Sequence, residues 1–442
     1  MFEEYMAGWM FLALSILLMV GFPVTFTLLG VSLFFAWLGP GVEFLDLMPM
    51  RIWGVMDNVV LIAVPLFIFM GVTLERSGMA EELLETMGML FGRLRGGLAI
   101  SVVAVGALLG ASTGIVGATV VTMGLLSVPT MLRYGYDKRL ATGTVAASGT
   151  LGQIIPPSVV LVLLGTIVQV PVGDLFMGAV FPGLLLCGLY TVYILILVWF
   201  QPHMGPALSL DDAGLDRRQF LIRVSRALVP PMVLILAVLG SIFAGVASPT
   251  EAAAVGAVGA VLLTSLNHKF SWRMVQEVMT TTTRLTCMVF IILVGAAAFG
   301  LVFRELDGDD LVRQFLMWVA EHYSKWTVLA IVMGLIFLVG FLLDFIEICF
   351  IHVPVLAPIM VEFGFDPLWF SILLAVNLQT SFLTPPFGFS LFYLKAVTPP
   401  GVTSGDIYRG IIPFVLLQVL GLGICIFWPD LITWLPKVMY SK

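Results

Sequence analysis

The sequence predicts an all-α polytopic membrane protein built from two repeats of opposite orientation. Three observations carry this. Hydrophobic residues make up 60% of the 442 residues and charged residues 11%, with a mean hydropathy of +1.09, whereas a soluble domain carries about 25% charged residues. Apolar runs of roughly 20 residues recur from end to end, each long enough to cross about 30 Å of hydrocarbon. Motifs of the first half also return in the second at a nearly constant spacing.

Taken in order, crossings are expected at 5–21, 23–38, 58–75, 139–168, 178–200, 228–246, 249–266, 285–303, 368–395 and 411–434. The first follows Glu3 and Glu4 rather than a basic segment, and no A-x-A site succeeds it, so it is not read as a cleavable signal peptide. Two apolar stretches, 98–132 and 327–361, are too long for one helix and too short for two full crossings. Each has a weak point near its middle: Gly110-Ala-Ser-Thr-Gly114 in the first, Gly340 followed by Asp344 in the second. Two helices of about 15 residues reach roughly 22 Å each, short of the hydrocarbon thickness. Both stretches are therefore read as re-entrant hairpins, a backbone course tolerated only where protein or a cavity covers it. Between crossing and hairpin lies the segment 76–97, carrying Arg76, Arg93 and Arg95 with Glu81, Glu82 and Glu85, and 304–326 matches it in the second half. These are solvated charged faces or mechanical arms. A charged linker, 201–227, separates the repeats 1–200 and 228–442.

Charge counting supports the layout. With the N-terminus outside, the inside segments 76–97, 133–139, 201–227, 267–284 and 395–410 hold 15 of the 21 Lys and Arg residues. Arg51, Arg304, Arg313, Lys325, Lys437 and Lys442 fall outside. That bias follows the positive-inside rule. Arg93 and Arg95 precede the first hairpin, while Arg133, Lys138 and Arg139 follow it. A hairpin allows both clusters to be inside; a single crossing does not.

The repeat rests on a shared offset. Gly135-Tyr-Asp137 matches Gly364-Phe-Asp366, Pro129 matches Pro358, and Pro156-Pro157 matches Pro385-Pro386, all 229 residues apart (364 − 135 = 229). After a slip of three, Gly173-Asp174 and Gly178 match Gly405-Asp406 and Gly410, while Pro23 and Gly30 match Pro249 and Gly256 at an offset of 226. Five crossings per half is an odd number, so the second half enters the membrane from the opposite side, as in secondary transporters. The first hairpin then opens from the cytoplasm and the second from outside, and their tips can meet near the midplane.

After each hairpin comes a crossing interrupted in its middle: Ala147-Ser-Gly-Thr-Leu-Gly-Gln-Ile-Ile-Pro-Pro-Ser158 and Asn377-Leu-Gln-Thr-Ser-Phe-Leu-Thr-Pro-Pro-Phe387. Two successive prolines break a helix. The freed carbonyls and the Ser, Thr, Asn and Gln oxygens suit a small hard cation, and half-helix N-termini suit a carboxylate. Paired broken helices point to a transporter's binding site; the plain alternative is that these hydroxyls cap helices or bond between them. Asp344 and Glu347 are the acids well inside an apolar stretch. Asp344 would hold a cation or cap a helix, Glu347 would pair or face a crevice, and His352 is a packed side chain or a proton carrier. Cys187, Cys287, Cys349 and Cys425 lie far apart in apolar spans and read as small buried hydrophobes. No basic nucleic-acid patch and no Walker A sequence is present. An aspartyl intramembrane protease needs two facing aspartates and a serine type a Ser–His pair, neither of which is apparent. A channel is the remaining rival to alternating access.

These residues resemble the large membrane subunit of the tripartite ATP-independent periplasmic (TRAP) transporters over nearly the whole chain. The resemblance rests on Gly110-Ala-Ser-Thr-Gly114 with Gly117-Ala-Thr119, Gly149-Thr-Leu-Gly-Gln-Ile-Ile-Pro-Pro157, Phe341-Leu-Leu-Asp344, Pro354-Val-Leu-Ala-Pro358 and Thr384-Pro-Pro386. It implies a transporter rather than an enzyme, in a bacterial inner membrane with both termini periplasmic. A periplasmic binding protein would deliver an organic anion, a carboxylate or sulfonate. A small four-helix membrane subunit would enlarge a scaffold, sodium would drive uptake, and a mobile unit in contact with membrane lipid would move as an elevator. One sodium site would use Ser112, Thr113 and Gly114 with an unwound Ser148, Gly149 and Thr150. The other would use Gly340 and Asp344 with an unwound stretch containing Asn377, Thr380 and Thr384. The anion would lie between the hairpin tips, near Ser112, Gly152, Gln153, Pro156, Gln379, Ser381 and Pro385. The second tip, Gly340-Phe-Leu-Leu-Asp344, lacks the Ser and Thr of the first.

Overall fold

Local signals punctuate the chain before any packing is considered. Gly135 and Gly364 both take a left-handed φ of 80°, which glycine adopts without a Cβ penalty. Each ends a helix, and two residues later Asp137 or Asp366 caps the next by accepting from the backbone N–H of Arg139 or Trp369, both at 2.8 Å. Ser248 and Glu251 form a capping box in front of Pro249, and Thr403 and Asp406 form another.

The computed structural model describes residues 5–92, 94–113, 116–207 and 217–440. Every regular element among them is helical. The first half runs α1 (Met6–Met19), α2 (Val24–Leu38), α3 (Met48–Met56), α4 (Ala63–Arg76), α5 (Met79–Phe91), α6 (Gly97–Thr113), α7 (Val116–Arg133), α8 (Lys138–Thr150), α9 (Val159–Val168) and α10 (Val172–Phe200). The second runs α11 (Arg217–Phe243), α12 (Pro249–Leu266), α13 (Trp272–Glu305), α14 (Gly308–His322), α15 (Lys325–Val339), α16 (Phe345–Ile351), α17 (Val353–Glu362), α18 (Pro367–Leu383), α19 (Phe389–Val397), α20 (Ser404–Phe427) and α21 (Asp430–Tyr440).

Contacts recur when the halves are exchanged. α4 packs on α12 as α13 packs on α2, and α8 packs on α20 as α18 packs on α10. α7 packs on α19, while α16 and α17 pack on α9. The expected hairpin arms are α6 with α7, and α15 with α16 and α17; the broken crossings are α8 with α9, and α18 with α19. At the centre, every residue of α8 from Leu140 to Thr150 and of α18 from Trp369 to Leu383 is buried.

Several boundaries differ from expectation. Most of 267–284, read as a loop, is helical: α13 starts at Trp272, its first turn capped by Ser271 and braced by an Arg273–Glu277 pair at 3.3 Å. The last crossing spans Ser404–Phe427 rather than 411–434, because its capping box starts it early and Pro429 ends it; α21 then folds back on α10. The second arm of the second hairpin bends by 57° between α16 and α17. There Pro354 has no N–H to offer the Phe350 carbonyl. Seven helices among the described residues are long and apolar enough to cross a membrane, and the bent pair makes eight. α7, with 18 residues, is one of them, longer than the hairpin arm expected. α1 and α2, with 14 and 15 residues, reach only about 21–23 Å.

Candidate functional site

The two broken helices meet where their sequences coincide. Gln379 Nε2 donates to Thr150 Oγ1 at 3.2 Å across a sequence separation of 229, so the bond joins equivalent positions of the two halves. Thr150 in turn donates to the Ala147 carbonyl at 2.9 Å. Both residues are fully buried.

Each break is stapled in the same way. Ser158 donates across the first break to the Gln153 carbonyl at 2.7 Å, and Ser390 across the second to the Phe382 carbonyl at 2.8 Å. Gln153 and Phe382 are equivalent (382 − 153 = 229). The staples span five and eight residues, so the three-residue slip lies within the break, as Phe387-Gly388-Phe389. Both proline pairs, Pro156–Pro157 and Pro385–Pro386, have cis peptide bonds. The first break is enclosed, with Pro156 buried. The second is open: Pro385 is half-buried and Phe387 exposed.

The unwound segments are displaced from expectation. Ser148, Gly149 and Thr150 are the last residues of α8, and Asn377, Thr380 and Ser381 lie within α18; only Thr384 stands at a break, as the C-cap. Their hydroxyls explain why the helix persists. Ser148, Thr150, Thr380, Ser381 and Thr384 donate to carbonyls three or four residues back, at 2.8–3.2 Å, which serves a helix interior without unwinding it. Unwinding starts at Leu151, where a short 3₁₀ turn leads into the proline pair.

Close backbone approach places the hairpins on these helices. A Cβ on Gly110 would lie 2.5 Å from Gly152 Cα, and one on Gly106 would lie 2.6 Å from Ser148 Cβ. Gly149 faces Val120 of α7 as closely, at 2.5 Å. In the second half a Cβ on Gly340 would meet Ser381 Oγ, and the Phe341 ring lies 6.3 Å from that of Phe387. Ser112 and Thr113 close α6, whereas Gly114 falls outside the described residues.

Asp344 is the N-cap of α16. It accepts from Phe345 N at 2.8 Å, and Glu347 returns the capping box by accepting from Asp344 N at 3.1 Å. This is the capping alternative realised, with Glu347 buried as its partner. Asn377 turns to the hairpin arm, donating to the Met333 carbonyl at 2.8 Å. His352 is buried at the bend with its ring edge-on to Phe11 at 5.1 Å. No group of three His, Cys, Asp or Glu side chains suited to a metal occurs among the described residues.

Two glutamines complete the site. Gln153 and Gln379 are fully buried, yet both amide atoms of Gln153 and the Gln379 carbonyl oxygen have no partner. A buried amide atom without a hydrogen-bond partner costs about 1–3 kcal/mol by protein mutational measures, so these three orphaned atoms call for a physical explanation.

The model of the tripartite ATP-independent periplasmic transporter, DctM component, matches residues 11–431. The chain belongs to this family. As a DctM component it is a multi-pass membrane permease subunit and not an enzyme. It is 32% identical over 387 residues to a C4-dicarboxylate TRAP transporter large permease of Pseudomonas aeruginosa, covering 86% of this chain and 87% of that one. It is 28% identical over 416 residues to the isethionate TRAP transporter permease protein DctMQ of Oleidesulfovibrio alaskensis, covering 94% of this chain and 64% of the other. The crystal structure of the Alcanivorax borkumensis YdaH transporter shares the fold, with a TM-score of 0.64, 17% identity, and 88% and 90% of the two chains covered.

Sequence reasoning about this DctM chain missed the two serine staples and one contact. Thr122 of α7 donates to Glu75 of α4 at 2.8 Å. Glu75 closes an apolar crossing and carries no motif. A signal was nonetheless available, since an acid one residue before Arg76 at the end of a span has a full charge to place.

Proposed function

We propose that this chain is the sodium-coupled membrane path for a small organic anion, a carboxylate or sulfonate, in a bacterial inner membrane. The observation that carries the reading is the buried amide of Gln153 at the first break, which has no partner at either atom, beside Gln379 of α18, whose Nε2 bonds Thr150 while its Oε1 has no partner. The names of two relatives agree with the substrate class, one a C4-dicarboxylate permease and one an isethionate permease. In this proposal one sodium ion is held near Ser148, Gly149 and Thr150 with the α6 tip at Ser112, Thr113 and Gly114. A second is held near Gly340, Asp344, Thr380 and Thr384, with Asn377 fixing the adjacent arm. The anion lies between, against Gly152, Gln153, Pro156, Gln379, Ser381 and Pro385.

The packing supports the mechanical part of the proposal. The hairpins clasp the broken helices through Gly106 and Gly110, where backbones touch, and through Gly340, which packs on the Ser381 side chain, leaving no room to slide. In our reading those elements form one carrier, and α2, α4, α12 and α13, which pack on one another, form the scaffold. The repeats 1–200 and 228–442 are inverted, both termini are periplasmic, and the carrier moves as an elevator. A small membrane subunit covers exposed apolar scaffold side chains such as Phe26, Trp37 and Leu262. The DctMQ relative is longer than this chain, which fits a small subunit fused to it. A periplasmic binding protein delivers the anion.

The test is uptake into proteoliposomes holding this chain, its small subunit and its binding protein. Saturable uptake that requires an inward sodium gradient and all three proteins is expected. Sodium-independent, non-saturating flux through the chain alone would mean a channel instead.

A further inference from the structure

Away from the breaks, a cavity of about 370 Å³ opens between two groups of elements. One wall is α3, α13 and the start of α14; the other is the end of α9 with α16 and α17. Much of the lining is apolar, including Leu293, Phe299 and Phe303. Set into it are two guanidinium groups, Arg51 of α3 and Arg304 of α13, with Asn58 and Asp309. By the charge count both arginines lie on the outer side.

Glycines make room for the cations. A Cβ on Gly300, one turn before Arg304, would sit 3.7 Å from Arg304 Nη2, so the guanidinium folds back over a residue without a side chain. A Cβ on Gly54, one turn after Arg51, would meet nothing within 4 Å. Among the described residues neither arginine has a carboxylate within 4.0 Å. Asp309 is the acid in the cavity. It lies near enough to Arg304 to feel its charge, yet its buried Oδ1 has no partner. Burial pushes its carboxyl above the ordinary range, against the pull of Arg304 and with the push of Asp310. Two cations against one acid leave the cavity net positive, and apolar walls focus that field.

We infer that this cavity is an outer antechamber in which Arg51 and Arg304 hold the organic anion before it passes to the broken helices. The inference rests on the organic-anion reading above. The volume falls within the range of about 300–1,000 Å³ typical of small-molecule sites. The cavity is close to the second hairpin tip: Ile351 lines the cavity and Asp344 caps the same helix seven residues earlier, about 10 Å along its axis. The guanidinium fork matches carboxylate and sulfonate oxygens alike.

The experiment uses the complete three-protein complex in proteoliposomes, with radiolabelled succinate and isethionate as probes under a sodium gradient. Arg51→Gln and Arg304→Gln should each raise KM about three- to tenfold, as expected for removing one unit charge across a partly solvated cavity. The kcat and the sodium dependence should hold, and Arg→Lys should recover part of the loss. Asp309→Asn should move KM down, a direction that misfolding cannot imitate. Gly54→Leu, which improves helix propensity while filling space, should raise KM. An unchanged KM in both Gln variants overturns the antechamber and leaves the central site standing. A KM rise matched by weaker binding-protein affinity in surface plasmon resonance also overturns it, making the arginines docking contacts. A wild-type complex that takes up neither probe with sodium overturns the organic-anion reading itself, and the antechamber with it.

Discussion

Gln153→Met separates a binding role from a structural one because the two predict opposite signs. Gln153 is 1% exposed, and neither its Nε2 nor its Oε1 has a partner. Methionine has nearly the same length and volume and no strong polar group, so a swap of this kind costs little in packing. Removing a buried group that has no hydrogen bond returns about 1–3 kcal/mol of desolvation for each orphaned atom. The resting protein should therefore become more stable by about 2 kcal/mol or more, seen as a higher unfolding temperature by intrinsic tryptophan fluorescence. If the amide meets a charged ligand during transport, the same change forfeits a hydrogen bond of about 1.5–3 kcal/mol. Since 1.4 kcal/mol is tenfold, sodium-driven uptake should fall by about 10- to 100-fold. Greater stability with full uptake would refute the binding role. Lower stability with unchanged uptake per folded molecule would show that the amide serves packing.

Asp344→Asn keeps a good N-cap for α16 while removing a charge, so the unfolding temperature should hold while half-saturating sodium rises several-fold in uptake titrations. Gly340→Ala forces a Cβ against Ser381, whose own Cβ would be 2.8 Å away; it should destabilise by about 1–3 kcal/mol, and adding Ser381→Gly should restore the unfolding temperature without restoring full uptake. Thr122 and Glu75 touch at 2.8 Å across the boundary between the proposed carrier and scaffold, so a Thr122→Cys/Glu75→Cys pair, oxidised, should arrest uptake until reduced; efficient crosslinking with uptake intact would exclude the elevator.

The sequence made legible whatever rests on backbone chemistry that only a few residues can supply. Proline pairs located both breaks, and left-handed glycines with aspartate caps, Gly135 with Asp137 and Gly364 with Asp366, located the starts of α8 and α18. What it misplaced was how far each helix runs towards its break. Ser148, Thr150, Thr380 and Thr384 looked like ligands set free by unwinding, but a hydroxyl can satisfy itself on its own helix, and here each does. The bend at His352 escaped notice because Pro354 within an apolar run reads as an ordinary membrane-helix proline. The length of α13 was hidden for another reason: its first turns are polar, and hydropathy registers burial in lipid rather than helicity. Contacts such as Gly110 on Gly152 depend on two distant glycines crossing, which spacing along one chain does not encode.

The repeat also bears on direction. Two halves identical in chemistry and inverted in the membrane would present equivalent faces to the two sides, and nothing in such a protein would distinguish inward from outward. Here the departures from symmetry fall at the interface between the proposed carrier and scaffold. Glu75 and Arg304 occupy equivalent positions at the ends of α4 and α13 (304 − 75 = 229), yet one is an acid and the other a base. At the acidic end Thr122 reaches across and donates to Glu75, bridging that edge. The residue equivalent to Thr122 is Ile351 (351 − 122 = 229), which cannot bond to Arg304, and there the edge opens as the 370 Å³ cavity. In the proposed function Glu75 would repel an anion and Arg304 would attract it, while their neighbours Arg76 and Glu305 exchange charge in the opposite sense. The breaks differ likewise, the first sealed and the second opened by Phe387-Gly388-Phe389. Sodium would still set the thermodynamic direction of uptake. In the proposed function, the exchange of acid and base at this repeated position, together with the cavity at one edge alone, would give the two ends of the path different affinities for the same anion, high where it is collected and low where it must leave.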